Sequence, residues 1–386
     1  MNKSYCALPF RETMMVPGDV LLLCCAHNTN VIIKNSFDET FKSGKIQEIR
    51  ELMLSGKPVS GCEQCYIAES QGIESLRERS IKKYGVVTDI KLQAVEIQFD
   101  NVCNLKCRMC TSAQSHLIYN DEVEIFGKAI SWKKFIETDR YKEIDISELK
   151  EVRIHGGEPF LSPRAEEFFY KIIQENQIKQ LSISTPTNGM IKPTGAFLTA
   201  IQQCKVLSII ISIDAYGDLN DYFRSKSNFN TVIDNLDFFY SLIDQRPVGS
   251  TTVGVSTTVN VYNVNKLQEL DLFLQSRYPY LKVGKSFLHN PDYLRISCLP
   301  KDYKNKIRHT VVEYPNVLKM LDKEDTDYFE EFIFYHRQLD SIRQESLGNL
   351  NLELSEFIEN YKFKKEIATE HIIKFSNFID PGVFDD

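Results

Sequence analysis

Three cysteines lie close together in the stretch CNLKCRMC, at positions 103, 107 and 110. Spacings of three residues and then two let a backbone curl around a compact object and direct three thiolates to one point. A [4Fe-4S] cluster has four irons, so three cysteine ligands leave one iron open to a ligand that is not protein. The stretch therefore predicts a metal cluster with a free coordination position at Cys103, Cys107 and Cys110.

Zinc is the alternative occupant of such a triad. A structural zinc site takes four protein ligands, so it needs another cysteine or a histidine close to the first three. His116 follows Cys110 within the same loop region and is the candidate fourth ligand. From the triad alone, both the cluster and the zinc ion remain open.

The triad directly follows a predicted strand. Val95, Ile97 and Phe99 alternate with polar residues, as in a half-buried strand. Strands then alternate with helices as far as residue 300, which predicts a parallel sheet with right-handed crossovers. We place the strands at residues 94–100, 149–154, 180–185, 206–214, 251–259 and around 281–283. Six such units predict an α/β fold, a partial (β/α)6 TIM-like barrel that is open where eight units would close.

Polar groups and glycines follow these strands at their carboxyl ends, where barrel enzymes carry their chemistry. A pair of glycines lets a ligand approach the backbone, and a carboxylate can accept hydrogen bonds from an ammonium group. Asn188 is equally compatible with a plain turn, and Asp214 with a loop cap. Four such groups on one rim favour the cluster over zinc at the triad. The groups are Cys103 to Cys110, Gly156-Gly157-Glu158-Pro159, Asn188, and Ser212 with Asp214.

The fourth strand, residues 206–214, is nearly continuously apolar. This pattern is typical of a central parallel strand with both faces buried, and we expect burial on both faces here.

The CxxxCxxC spacing, followed one βα unit later by Gly-Gly-Glu-Pro, resembles the radical S-adenosylmethionine (SAM) superfamily. The resemblance implies that SAM chelates the open iron of a [4Fe-4S] cluster on the triad and is cleaved to a 5′-deoxyadenosyl radical. It also implies that Gly156, Gly157 and Glu158 hold the SAM amino group. Further SAM contacts are implied at Asn188, Ser212 and Asp214, with a Tyr and Arg pair that looks like Tyr222 and Arg224.

A second group of cysteines occupies residues 1–75. Cys6 and Cys24 flank a predicted hairpin with its turn at Pro17-Gly18-Asp19, and a helix is predicted over residues 36–56. Cys62 and Cys65 form a CxxC knuckle just beyond that helix. Four thiolates from a hairpin and a knuckle complete a site for either Zn²⁺ or a [4Fe-4S] cluster.

The order of these elements resembles the twitch or SPASM-type auxiliary-cluster domains of radical SAM enzymes, here placed before the barrel. The resemblance implies a second [4Fe-4S] cluster for electron transfer, held by Cys6, Cys24, Cys62 and Cys65. Sequence alone leaves Cys24 and Cys25 open as the second ligand. The resemblance favours Cys24, because the first thiol after the hairpin is the ligand in similar modules; the adjacent Cys25 must then point to the opposite face.

The chain thus divides into a small cysteine-rich α+β domain (1–75), a linker (76–92), the partial barrel (93–300) and a helical C-terminal extension (301–386). Amphipathic patterns predict helices over residues 303–320, 327–344 and 352–361 of the extension, without a cofactor motif. Cys204 and Cys298 stand alone and are predicted to be buried packing residues.

The composition is that of an ordinary globular protein: 42% of the 386 residues are hydrophobic and 26% are charged. The net charge of −7 and the lack of a basic run argue against nucleic acid as a partner. No segment has the apolar length of a membrane span or of a signal peptide, so we expect a cytoplasmic protein with no membrane partner. In a reducing compartment, ten cysteines that are mostly clustered favour metal binding over disulfides.

The sequence therefore predicts a radical SAM oxidoreductase or modifying enzyme. It would bind two [4Fe-4S] clusters and SAM, take electrons from a one-electron donor such as flavodoxin or ferredoxin, and act on a peptide or a small molecule. The alternative is a non-catalytic zinc-binding interaction protein. No catalytic base or radical relay can be assigned from sequence; the unranked candidates are Asp214, His155, Cys298 and Tyr222.

Overall fold

A computed structural model describes residues 4–27, 30–323 and 328–363 of the chain. Within these ranges it has nine strands: β1 (Glu12–Val16), β2 (Val20–Leu22), β3 (Asn30–Ile32), β4 (Ala94–Gln98), β5 (Glu151–His155), β6 (Ser182–Thr187), β7 (Val206–Ser212), β8 (Thr251–Val259) and β9 (Lys282–Phe287). They form one sheet in the order β3-β2-β1-β4-β5-β6-β7-β8-β9.

The described ranges also contain fifteen α-helices. They are α1 (Leu8–Arg11), α2 (Phe37–Lys42), α3 (Gly44–Leu54), α4 (Glu63–Ser70), α5 (Leu76–Tyr84), α6 (Tyr119–Phe126), α7 (Pro163–Gln174), α8 (Gly195–Gln203), α9 (Asp218–Phe223), α10 (Phe229–Gln245), α11 (Leu267–Arg277), α12 (Lys301–Ile307), α13 (Pro315–Leu321), α14 (Phe329–Arg343) and α15 (Leu352–Asn360).

Strands β4 to β9 are mutually parallel and confirm the six predicted strands. Their apolar residues form one buried core with helices α3, α7, α8, α10 and α11 on one face of the sheet. The opposite face, which we call the open face, carries mostly polar or small residues such as Arg153, Ser184 and Ser208. These side chains are only partly buried, so no second layer of helices covers them completely.

The expectation that the fourth strand is buried on both faces is wrong. Along β7, Leu207, Ile209 and Ile211 are buried, whereas Val206 and Ile210 remain 37% and 36% exposed on the open face. A strand of an open sheet has helices on one side only, so its second face stays accessible even where its residues are apolar.

The predicted N-terminal hairpin is confirmed: β1 and β2 are antiparallel, with Met15 opposite Leu21. Strand β1 also pairs in parallel with β4, with Met15 opposite Ile97, so β1 to β3 extend the sheet of the barrel. The single helix predicted over residues 36–56 is wrong in detail, since α2 and α3 are separated at Ser43 and Gly44. Gly44 has φ +56, a backbone conformation that interrupts a right-handed helix.

The C-terminal helices form a second core together with α9 and the segment that follows β8. The predicted helix over residues 303–320 is divided into α12 and α13, because Pro315 cannot continue a helix and begins a new one. The other two predicted helices correspond to α14 and α15. Asp327 and the extension beyond residue 363 lie outside the described residues.

None of the helices within the described ranges has the length and apolar character that crossing a lipid bilayer requires.

Candidate functional site

The cysteine triad lies on the loop that leaves the carboxyl end of β4. Cys103 and Cys107 are buried, Cys110 is partly buried, and Leu105 packs between them with no exposed surface. The Leu105 N–H donates to Cys103 Sγ at 3.4 Å, and the Cys110 N–H donates to the Cys107 carbonyl at 3.1 Å. The loop backbone thus curls around the three sulfurs, as the spacing predicts.

The three thiols have different electrostatic surroundings. Burial raises the pKa of Cys103 to about 12. The neighbouring sulfurs of Cys107 and Cys110 interact, which lowers the pKa of Cys107 and raises that of Cys110. Arg224 contributes to the low pKa of Cys107, because its Nη1 approaches Cys107 Sγ at 3.8 Å. The loop therefore favours a thiolate at Cys107, the form that binds metal.

Arg224 is held in place by Asp214. Arg224 Nε donates to Asp214 Oδ2 at 2.8 Å, and both side chains are buried. The Thr258 N–H donates to Asp214 Oδ1 at 2.7 Å. Asp214, which the sequence predicted as a SAM contact, is thus joined to the triad through Arg224.

The two glycines after β5 allow the strand end to meet the cysteine loop. A Cβ at Gly157 would lie 2.2 Å from the Val102 carbonyl oxygen, and Gly156 has φ +143 with the Asp100 carbonyl 2.9 Å from its Cβ position. The Glu158 N–H donates to the same Val102 carbonyl at 2.8 Å. Close packing against the cysteine loop is therefore enough to explain why both positions are glycine, independently of any contact with a ligand.

Glu158 is buried beside the loop and has spare acceptor capacity. Its Oε1 accepts from Thr187 Oγ1 at 2.8 Å and from the Phe160 N–H at 3.2 Å, while Oε2 accepts from the Asn188 N–H at 2.8 Å. A carboxylate has about four acceptor positions, so Oε2 can take one more donor. Burial raises the pKa of Glu158 to about 7, and no ion pair with Glu158 is found in the described part of the chain. A buried carboxylate with a free acceptor position fits the ammonium group of an amino acid ligand.

Asn188 connects the turn after β6 with the cysteine loop. Its Oδ1 accepts from the Met190 N–H at 2.9 Å, as in an ordinary Asx turn, and its Nδ2 donates to Asn104 Oδ1 at 2.8 Å. The same Nδ2 lies 3.9 Å from Cys103 Sγ. Asn188 is therefore both a turn residue and a neighbour of the triad.

The structure brings most of the predicted rim residues together. Glu158 and Asn188 are bonded to each other beside Cys103, and Asp214 reaches Cys107 through Arg224. Ser212 is the exception: it ends β7 on the open face, opposite Ser256. No signal in the sequence pointed to Asn104, because an asparagine between two cysteines is not itself one of the predicted cluster ligands.

The zinc alternative receives no support from this geometry. Among the described residues, no three His, Cys, Asp or Glu side chains converge as a single metal ion requires. Nδ1 of His116 accepts from the Cys103 N–H at 3.3 Å, and its ring stacks on Phe135. His116 is thus engaged by the cysteine loop backbone and by Phe135.

The N-terminal cysteines also converge. Cys6, Cys24, Cys62 and Cys65 all line one small cavity, together with His27 and Arg77. Cys25 is exposed and instead lines a neighbouring cavity of about 340 Å³ against the open face. Burial raises the pKa of Cys24 and of Cys62 to about 12, so these two sulfurs stay protonated until a cation replaces the proton.

The two groups of cysteines lie at opposite ends of the sheet. Cys6 precedes the start of β1 and Cys24 follows the end of the antiparallel β2, so both lie at the amino end of β1 and its parallel neighbour β4. The triad follows the carboxyl end of β4. Five residues of strand span about 16 Å, and the open face runs along that distance between the two groups.

Comparisons with known proteins give one family match, which lies within the barrel region. The model of the Radical SAM superfamily matches residues 97–270. No curated protein sequence matches the chain. Among solved structures, it is similar to Streptococcus suis SuiB bound to S-adenosylmethionine, with a TM-score of 0.35 and 12% identity over 75% of this chain and 53% of SuiB. It is also similar to a polyhistidine-tagged form of anSMEcpe with bound AdoMet, with a TM-score of 0.38 and 18% identity over 66% of this chain and 65% of anSMEcpe. The chain thus spans about half the length of SuiB and slightly less than two thirds of that of anSMEcpe.

The matched range begins within β4 and ends within α11, and it contains the cysteine loop, Glu158, Asn188, Asp214 and Arg224. The residues that meet at the carboxyl rim of the parallel sheet therefore all fall inside residues 97–270, the range that matches the model of the Radical SAM superfamily.

Proposed function

We propose that the chain is a radical SAM enzyme in which Cys103, Cys107 and Cys110 hold a [4Fe-4S] cluster. When bound, the cluster and SAM supply reductive cleavage to a 5′-deoxyadenosyl radical, which removes a hydrogen atom from a substrate. The single observation that carries the proposal is the rim itself, where three thiols, a buried carboxylate and a buried guanidinium converge within the matched domain.

Each rim residue has a role in this proposal that follows from its contacts. Glu158 accepts a hydrogen bond from the ammonium group of SAM at its free acceptor position. Arg224, oriented by Asp214, stabilises the thiolate of Cys107. Asn188 ties the turn after β6 to the cysteine loop. The three residues therefore position the triad and the ligand without taking part in electron transfer.

The test of SAM cleavage is formation of 5′-deoxyadenosine by the anaerobically reconstituted chain with dithionite and SAM. We expect the product with the unaltered chain and with Cys204→Ala, whose cysteine is buried away from the rim. The product should be absent from the triple variant Cys103→Ala, Cys107→Ala and Cys110→Ala. A colourless protein that binds zinc and forms no 5′-deoxyadenosine would contradict the proposal.

The second part of the proposal is an auxiliary [4Fe-4S] cluster at Cys6, Cys24, Cys62 and Cys65, acting in electron transfer. It is supported by the cavity that all four of these side chains line. Four protein ligands leave no iron open, so the cluster would relay electrons and would not bind SAM.

Iron analysis distinguishes one cluster from two. The reconstituted chain should hold about eight irons, and Cys24→Ala should hold about four. Cys25→Ala is the matched control: Cys25 does not line the cavity that the other four cysteines share, so this variant should keep the full iron content. About four irons in the unaltered chain would remove the second cluster from the proposal.

The substrate in this proposal is a peptide or a small molecule that lies along the open face. The external electron source is a one-electron donor such as flavodoxin or ferredoxin. The rate of 5′-deoxyadenosine formation, measured with candidate peptides and with small alcohols, separates the two substrate classes, because the true substrate should accelerate SAM turnover. Equal rates with and without every candidate would exclude those candidates.

A further inference from the structure

Helix α14 of the C-terminal extension is bonded directly to the cysteine loop, although the two are far apart in sequence. The Tyr335 hydroxyl donates to the Arg108 carbonyl at 2.9 Å, and Arg343 Nη1 donates to the Lys106 carbonyl at 2.7 Å. Residues 106 and 108 lie between the cysteines of the triad. Helix α14 thus binds the same short segment that presents the three sulfurs.

The amide groups of this segment are bonded on its other side. The Lys106 N–H donates to the Ser225 carbonyl and the Arg108 N–H donates to the Phe223 carbonyl, each at 2.9 Å. Both backbone groups of both residues therefore have partners, one set just after α9 and the other on α14. The segment is held between two elements rather than resting against one.

The side chain of Arg108 adds a buried charged contact to the same helix. It has no exposed surface, and its guanidinium carbon lies 3.8 Å from the ring centroid of Tyr222. Its Nη2 donates to Asp340 Oδ1 and to Glu345 Oε2, both at 2.6 Å. The Tyr222 hydroxyl also donates to Asp340 Oδ1, at 2.8 Å. A guanidinium located between two cysteines of the triad is thus neutralised by the end of α14.

A second charged group completes the contact. Asp121 on α6 accepts from Lys106 Nζ at 2.5 Å and from Arg343 Nε at 2.9 Å. Three cations and three carboxylates are therefore paired around the loop: Lys106, Arg108 and Arg343 with Asp121, Asp340 and Glu345. In such a buried network, removal of one partner leaves a charge without compensation and is strongly destabilising.

We propose that α14 is a clamp on the cysteine loop and that Tyr335, Asp340, Arg343 and Glu345 are positioning residues for the triad. They fix residues 106 and 108, so the loop keeps its curl before any cluster is bound. This inference rests on the proposed function only for the identity of the group that the three cysteines bind. This assigns a role to the C-terminal extension, which carries no cofactor motif of its own.

The first test measures the alkylation rate of each cysteine by iodoacetamide in the full-length chain, freed of iron by a chelator and analysed by mass spectrometry. Tyr335→Phe removes one hydrogen bond and keeps the ring. We expect Cys107 to react about fivefold faster, the effect of one typical hydrogen bond, while buried Cys204 keeps its rate. Tyr303→Phe is the matched control: its hydroxyl is buried in the same extension without a hydrogen-bond partner, so neither rate should change.

A second pair of variants tests the charged contact. Glu345→Gln should increase the alkylation rate of Cys107 more than tenfold relative to Cys204, since a charge is left uncompensated. Asp322→Asn removes an exposed ion pair with Arg308 in the same extension and should leave both rates unchanged. In the reconstituted protein, Glu345→Gln should also release iron to a chelator faster.

Selective reaction at the triad supports the clamp. Equal acceleration at Cys107 and Cys204 would mean general unfolding, and unchanged rates in both Tyr335→Phe and Glu345→Gln would mean that α14 does not restrain the loop; either result overturns the proposal. Because the alkylation rates are measured on the iron-free chain, they test the clamp even if the triad should hold no iron-sulfur cluster. Failure of the clamp and failure of the proposed function are therefore distinguishable.

Discussion

Gly157 shows at the scale of one residue how closely the turn after β5 approaches the cysteine loop. A Cβ there would lie 2.2 Å from the Val102 carbonyl oxygen and 2.9 Å from Cys103 Cβ. Neither neighbour can move without moving the loop backbone. We therefore expect Gly157→Ala to lower the free energy of unfolding by about 3 kcal/mol and to reduce the iron content of the reconstituted chain, measured by chemical denaturation and iron analysis.

Gly284 provides the matched control for this substitution. It lies in a strand of the same sheet, and the nearest atom to its Cβ position is the Val255 carbonyl oxygen at 3.9 Å, an ordinary contact. Gly284→Ala should leave stability and iron content nearly unchanged. An equal loss in both variants would show that any added methyl group disturbs the sheet, and that the close approach at Gly157 is not special.

If Glu158 accepts the SAM ammonium group as proposed, SAM binding depends on pH. Its pKa is raised by burial to about 7, above its ordinary value of 4.5. The folded state therefore binds this proton more tightly than the unfolded state, and Glu158 costs stability as pH rises from about 4.5 to 7. The ammonium group of SAM compensates the negative charge of ionised Glu158. Binding therefore releases the Glu158 proton, and the affinity for SAM falls below pH 7. We expect the Kd for SAM, measured by calorimetry on the reconstituted chain, to rise about tenfold between pH 7.5 and 6.

Glu158→Gln separates this effect from other titrations. The amide keeps the shape of the side chain but cannot ionise, so SAM should bind more weakly at pH 7.5 and with little change down to pH 6. A variant that keeps the full pH dependence of the unaltered chain would assign that dependence to another group.

At the scale of elements, His336 on α14 makes the stability of the fold depend on pH. Its ring is buried against the Tyr222 and Tyr262 hydroxyls, beside Asp340 and on the Phe332 ring, and burial lowers its pKa to about 4. The folded state thus binds this proton less tightly than the unfolded state, whose pKa is near 6.5. The resulting stability is complete above pH 6.5 and is lost as pH falls from 6.5 towards 4. By pH 5 the loss is about 2 kcal/mol.

Urea unfolding at pH 7.5 and at pH 5 measures this loss, and His336→Gln should remove most of it. His309 is exposed in the same extension, and His309→Gln should keep the difference between the two pH values. If His336→Gln retains the full loss, the acid sensitivity belongs to other groups, and α14 is not its source.

Local patterns in the sequence were sufficient for most elements and for part of the site. Strands β4 to β9 follow from alternation and turn residues, because both are local in the sequence. The partners of Arg108 on α14 could not be found in this way, since more than 230 residues separate Arg108 from Asp340 and Glu345. The exposed face of β7 could not be predicted either, because an apolar run in the sequence does not show whether a second layer of helices covers the strand.

At the scale of the whole molecule, the position of β1 could not be predicted either. The hairpin of β1 and β2 is signalled by its turn, but the parallel pairing of β1 with β4 joins segments about 80 residues apart. Glu12 reinforces that joint, because it accepts from Lys83 and Tyr84 on α5 and from Arg153 on β5. One sheet therefore connects the two groups of cysteines, and Glu12 of β1 also contacts α5, which follows residue 75.

This continuity predicts that the chain unfolds as one unit from its N-terminal strands through the barrel. Met15 of β1 is fully buried in the core shared with Val95 and Ile97, so Met15→Ala should destabilise the entire transition by about 2 to 5 kcal/mol. Adjacent Met14, only partly buried on the open face, is the control, and Met14→Ala should cost much less.

Deletion of residues 1–75 should leave β4 as an uncovered edge and give an aggregating chain. Calorimetry with one transition in the full chain fits this account, whereas two transitions and a soluble deletion variant would show that the N-terminal cysteines belong to an independent domain.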